Sequence, residues 1–139
     1  MAINKIDHIG IAVHNLDVAN ACYQKLLGVA PYKQEEVVSE RVKTSFFKTG
    51  DQKIELLEST SNTGAIAKFL KRKGEGVHHI AFEVDDIAKE VQRLVQEGFS
   101  LTDDLIKKGA DNKLVAFVHP KSAHGMLVEL CQEIVEGTI

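Results

Sequence analysis

Cysteine is scarce in this chain. Its 139 residues hold only Cys22 and Cys131, far apart and outside any C-x-x-C pattern. They could make one bridge at most, so they read as reduced thiols of a cytoplasmic protein. Charge of one sign is not concentrated anywhere. The 17 basic and 20 acidic residues are mixed, and a formal net charge of −3 leaves no footprint for nucleic acid or an anionic membrane. No apolar stretch approaches a membrane span, and the opening "MAINKIDHIGIAV" lacks a basic segment followed by a long apolar one. A soluble, unexported protein is expected. Cys22, within "VANACYQKLLG", is expected as a small buried residue on a helix.

With 44% hydrophobic residues, the chain suits one compact domain over 1–139. Its pattern repeats. "KIDHIGIAV" reads as a strand and "LDVANACYQKLLG" as an amphipathic helix stopped at Gly28. Strands follow between Pro31 and Glu58, broken near Ser39 and at "TGD". After a helical bridge over 61–75, "VHHIAFEV" returns as strand and "DIAKEVQRLVQEG" as helix. Strands are then expected around 100–106, 113–118 and 126–134. Two βαβββ modules, about 1–60 and 76–139, define an α+β fold.

Particular residues repeat with the elements. His8-Ile-Gly-Ile-Ala-Val matches His79-Ile-Ala-Phe-Glu-Val, and "QKIELLE" matches "GMLVELCQ". Each half therefore carries one histidine and one glutamate at nearly equal separations: His8 with Glu55, His79 with Glu129. Side chains two apart in a strand share a face. His8 goes with Gly10 and Ala12, opposite Ile9, Ile11 and Val13, and His79 goes with Ala81, opposite Ile80, Phe82 and Val84. The apolar sets are expected to face helix-packed cores, and the histidines a space left open by small neighbours. Glu55 and Glu129 likewise alternate with apolar residues. A pseudo-twofold between the halves would let all four converge.

Two imidazoles and two carboxylates suit a borderline divalent ion such as zinc, cobalt, nickel, manganese or ferrous iron. A tetrahedral site would be complete with four ligands, whereas an octahedral one would keep two positions for water or a chelating substrate. Sequence leaves both open. His78 lies on the face opposite His79, and His14 is read as a solvated turn residue.

These residues resemble the vicinal oxygen chelate superfamily, which includes glyoxalases, bleomycin-resistance proteins and dioxygenases. Within it they are most similar to the methylmalonyl-CoA epimerases, through "DHIGIAV", "GDQKIELLE", "GEGVHHIAFEVDDI" and "AFVHPKSAHGMLVEL". The resemblance covers essentially the whole chain. It implies an eight-stranded, open, barrel-like sheet around a metal site, with His8, Glu55, His79 and Glu129 as ligands of one cobalt, zinc, manganese or nickel ion. Some relatives carry glutamine where this chain has Glu55.

The implied reaction interconverts the epimers at C2 of methylmalonyl-CoA. The thioester acidifies the proton, and a metal chelating thioester and carboxylate oxygens would stabilise the developing enolate charge. Epimerisation needs a base on one face and an acid on the other. The resemblance assigns these roles to Glu129 and to a glutamate before "RVKTSFF", matched to Glu40. In "QEEVVSERVK", Glu40 is preferred to Glu35 and Glu36 because it shares parity with Val42, Thr44 and Phe46. An acyl-CoA substrate is the implied partner, with Lys107, Lys108, Lys121 and "KRK" at 71–73 available to its phosphates but not assigned. A homodimer is expected. Two other functions share the fold: a glyoxalase I-type isomerase using the same ligands, and a metal-free protein that sequesters drugs.

Overall fold

In the computed structural model, residues 3–102 and 106–135 are described. They form two compact units. One runs from His8 to His78, and the other joins the start of the chain, up to Asp7, to the residues from His79 onward.

The first unit holds β1 (Lys5–Ala12) from His8 on, α1 (Leu16–Leu27), β2 (Lys33–Val37), β3 (Val42–Thr49), β4 (Gln52–Ser59) and α2 (Ala65–Lys73). Its strands lie in the order β2-β3-β4-β1, with β1 parallel to β4 and the other pairs antiparallel. Helix α1 starts where Asn15 Oδ1 accepts from the Val18 N–H at 3.0 Å, and it stops at Gly28, whose φ of 74° is the left-handed cap that glycine reaches without strain. Through Leu16, Ala19, Tyr23 and Leu27 it covers Ile11, Phe47, Ile54 and Leu56. Phe47 and Leu56 are fully buried, each contributing about 1.5–3 kcal/mol. The opposite face is partly covered too. Ala12, Val42 and Leu57 pack against Ile66, Phe69 and Leu70 of α2. The face carrying His8 is therefore closed by α2 at its Ala12 end, where the sequence pattern predicts open space.

The second unit repeats the plan with β5 (Gly76–Glu83) from His79 on, α3 (Ile87–Gln96), β6 (Lys107–Lys108), β7 (Lys113–Val118) and β8 (Leu127–Glu133), in the order β5-β8-β7-β6. Helix α3 is capped by Asp86 and packs Ile87, Val91 and Leu94 on Phe82, Ala116 and Leu130. The other face carries Ala81, Val115, Cys131 and Phe117. Even the helix anchors correspond. The Leu16 N–H donates to Glu58 Oε1 at 2.7 Å and the Ile87 N–H to Gln132 Oε1 at 2.8 Å, so the strand bearing each glutamate also ties down the start of each helix.

The strand expected over 100–106 is shorter than its pattern. Leu101 makes a single bridge to Val118, the ordered pair is Lys107–Lys108, and residues 103–105 lie outside the described residues. Cys22 is exposed, not buried, because it falls on the side of α1 turned away from Leu16, Ala19 and Tyr23. No helix among the described residues is long and apolar enough to cross a membrane.

Candidate functional site

Both units build the same His–Glu pair in the same way. In the first, parallel pairing sets Gly10 opposite Glu55, and antiparallel pairing sets Phe46 on its other side. In the second, Ala81 and Phe117 flank Glu129 identically. The small residue two positions after each histidine leaves room for the imidazole to reach the carboxylate. His8 Nδ1 stands 3.0 Å from Glu55 Oε2, and His79 Nε2 stands 3.3 Å from Glu129 Oε1. Phe117 meets the His79 ring edge-on, at 6.2 Å and 87°, which holds its plane.

All four side chains are buried, with only 4–6% of each residue exposed. A buried carboxylate is costly unless a cation or several donors compensate it. With metal–ligand bonds of about 2.0–2.2 Å, neighbouring ligands on one ion stand roughly 3 Å apart. The separation within each pair fits that requirement, and the nitrogen and oxygen donors fit a borderline divalent cation.

Glu40 is placed by something other than strand parity. Val38–Glu40 forms a 3-10 turn closed by Arg41, whose φ of 54° is left-handed, so the alternation counted back from β3 does not run through it. The turn is held from outside. The Thr60 N–H donates to the Arg41 carbonyl at 2.9 Å, Arg41 Nη1 donates to Thr63 Oγ1 at 2.6 Å, and Gly64 lies so close that a Cβ there would meet Arg41 Cβ at 3.2 Å. Glu40 itself is half-buried. Of the neighbouring glutamates, Glu35 pairs in register with Thr44, whose neighbour two along is Phe46, so it shares the Glu55 face. It is ion-paired with Lys33 at 3.3 Å. Glu36 points the other way and is exposed.

The "HPKSAHG" stretch proves to be a turn-forming device between β7 and β8. His119 Nδ1 accepts from the Lys121 N–H at 3.0 Å, capping a short 3-10 turn at Pro120–Ala123. Gly125, at φ 95°, then turns the chain into the strand of Glu129. Of the candidate phosphate-binding lysines, Lys107 lies over Phe117 at 6.0 Å, on the Glu129 face, while Lys108, Lys121 and residues 71–73 are exposed surface. His14 is exposed as expected. Sequence reasoning missed two residues. Neither Phe117, which stacks edge-on with His79, nor Lys113, whose Nζ is buried 3.3 Å from Asp7 Oδ1, is singled out by the sequence pattern.

His78 packs edge-on against Phe69 at 5.0 Å, on the face opposite its neighbour His79. Burial, with help from the Arg72 charge, lowers its pKa to about 4. A histidine that resists protonation when folded costs nothing above its unfolded pKa of about 6.5 and destabilises the fold increasingly as pH falls from there to about 4. Wild type is expected to lose stability over that window more steeply than a His78→Leu variant. Urea unfolding at pH 7 and pH 5 measures it, and equal slopes would remove the assignment.

The pattern of the Glyoxalase/Bleomycin resistance protein/Dioxygenase superfamily matches residues 7–117. The chain is 38% identical over 130 residues to the uncharacterized protein YqjC of Bacillus subtilis, covering 94% of this chain and 93% of that one. It is 38% identical over 131 residues to the mitochondrial methylmalonyl-CoA epimerase of Dictyostelium discoideum, covering 94% and 79%. Its fold superposes with a TM-score of 0.92, at 32% identity and over 96% and 97% of the two chains, on a methylmalonyl-CoA epimerase in complex with methylmalonyl-CoA and ammonium.

Proposed function

Since the chain belongs to the glyoxalase/bleomycin resistance/dioxygenase superfamily, alongside its methylmalonyl-CoA epimerases, we propose that it epimerises C2 of methylmalonyl-CoA in the cytoplasm as a metal-dependent homodimer. The observation that carries this reading is the duplicated buried His–Glu pair, with donor atoms 3.0 and 3.3 Å apart in the two units. His8, Glu55, His79 and Glu129 would together hold one divalent ion. When bound, the ion supplies Lewis acidity toward the substrate's oxygens. Two glutamates balance its charge, so no further protein anion is required.

The chain's own task is to move one proton. Glu129, on the rigid β8 strand, takes or returns it on one face of the planar enolate through the carboxylate oxygen that does not face His79. Glu40 does the same on the other face. Its fixed 3-10 turn suits that role, because a base must hold its position within a few tenths of an ångström to act.

A Glu40→Gln variant is expected to stop interconversion nearly completely while keeping its metal. One epimer alone should still exchange its C2 proton for deuterium in heavy water, through the remaining base. Mass spectrometry of each epimer, with epimerisation followed separately, measures this. Glu35→Gln, beside Lys33, should epimerise normally; if it fails and Glu40→Gln does not, the base is Glu35.

A further inference from the structure

Buried polar atoms require partners, and among the described residues three buried side-chain atoms have none: Asn20 Oδ1, Thr44 Oγ1 and Ser45 Oγ. Strand register sorts them. Ser45 pairs with Leu56 on β4 and so faces α1, the helix that carries Asn20. Thr44 faces the other way. It stands two residues before Phe46, the partner of Glu55, so its hydroxyl belongs to the face that carries His8 and Glu55. Thr44 itself is paired with Leu57, which puts Glu55 on the diagonal with its Cβ roughly 7 Å away. At 1% exposed it is no more accessible than His8 or Glu55 at 4%. Glu35 lies directly across from it on β2, but that carboxylate engages Lys33 Nζ at 3.3 Å, and Lys33 in turn lies over the Phe46 ring at 5.3 Å. A buried donor in this state costs stability until an acceptor arrives.

We infer that Thr44 is a specificity-determining residue, its hydroxyl donating to the free carboxylate of a malonyl-type acyl-CoA bound beside Glu55. The inference rests on the epimerase reading for its substrate class. The carboxylate is the acceptor, not the thioester carbonyl, because a charge-assisted bond is about twice as strong as a neutral one and better offsets the burial of its donor. Local charge permits it. Lys33 already offsets Glu35, so an anion reaching Thr44 meets no unopposed negative charge from β2. The carboxylate is also the group that separates a malonyl thioester from an acetyl or propionyl one. A site built to bond such a group rejects analogues that lack it, since they leave its buried donor unpaired.

The test uses the purified full chain loaded with cobalt. Thr44→Val keeps the shape and removes the hydroxyl, so in urea it should be at least as stable as wild type. Calorimetry should show its binding of malonyl-CoA weakened by about tenfold to a hundredfold and its binding of acetyl-CoA unchanged. The KM for methylmalonyl-CoA should rise by the same factor with kcat nearly constant, because the bond is made equally in the bound substrate and the transition state. Thr44→Ser should keep most of the affinity. Ser45→Ala, which removes an equally unpartnered hydroxyl from the other face, should change neither thioester's binding. A Thr44→Val variant that binds malonyl-CoA like wild type, or loses acetyl-CoA to the same degree, would overturn the inference. Selective loss of malonyl-CoA by Thr44→Val, in a protein whose wild type fails to epimerise methylmalonyl-CoA, would overturn the epimerase reading alone. A wild type that binds neither thioester would overturn both.

Discussion

His79→Ala is expected to lose bound metal and epimerase activity together. Activity should fall by about a thousandfold or more, equivalent to roughly 4 kcal/mol of transition-state stabilisation. The expectation follows from how His79 is held. It is buried, its Nε2 stands 3.3 Å from Glu129 Oε1, and Phe117 fixes the ring edge-on. Removing it deletes a donor and also takes away the imidazole that stands 3.3 Å from the buried Glu129 carboxylate. The neighbour provides the control. His78 points to the other side of the strand against Phe69, so His78→Ala should keep its metal despite being one residue away. Elemental analysis of the proteins after equilibration with cobalt, read beside turnover of methylmalonyl-CoA, makes the measurement. Full metal and full rate in His79→Ala would place the site elsewhere.

The largest expected effect on stability lies in the buried ion pair between Lys113 and Asp7. Both residues are nearly inaccessible, at 3% and 1%, and Nζ stands 3.3 Å from Oδ1. Glu133, 3.9 Å away, has a largely exposed side chain and adds little through solvent. Lys113→Met keeps the stem but leaves the Asp7 carboxylate buried without its lysine, which should cost about 3–5 kcal/mol. Pairing it with Asp7→Asn should recover most of the loss, because the penalty belongs to the unmatched charge more than to the missing attraction. The neighbouring segment is secured independently, by Asn4 donating to Asp85 Oδ1 at 2.8 Å and to the Glu83 carbonyl, so the fold should survive to be measured. Urea unfolding of the two single variants and the double decides it. A cost below about 1 kcal/mol for Lys113→Met would mean that water reaches the pair.

Much of this architecture was legible from periodicity alone. A period of two in "DHIGIAV" and "HHIAFEV" separates the histidine face from the helix face whatever the rest of the chain does, and the packing of Ile11 under α1 and Phe82 under α3 follows it. The caps at Asn15, Gly28 and Asp86 are equally local, each satisfied within a few residues. The repeat of one histidine and one glutamate per module was visible because a duplication preserves order and spacing.

Sequence alone therefore determined the βαβββ plan, the strand faces and the candidate ligands, since each rests on contacts or alternations within a short stretch of chain. Tertiary structure decided the rest. Period two says which side a residue takes but not what covers that side, so the closure of the Ala12 end by α2 and the exposure of Cys22 appeared only with packing. The turn that holds Glu40 depends on a left-handed Arg41 braced from residues 60–64, and no alternation pattern encodes it. No local pattern marks Lys113 as buried, because its partner Asp7 lies 106 residues away. A buried charge is tolerated only where the fold brings its opposite to it, and that meeting is a property of the folded chain, not of any segment of it.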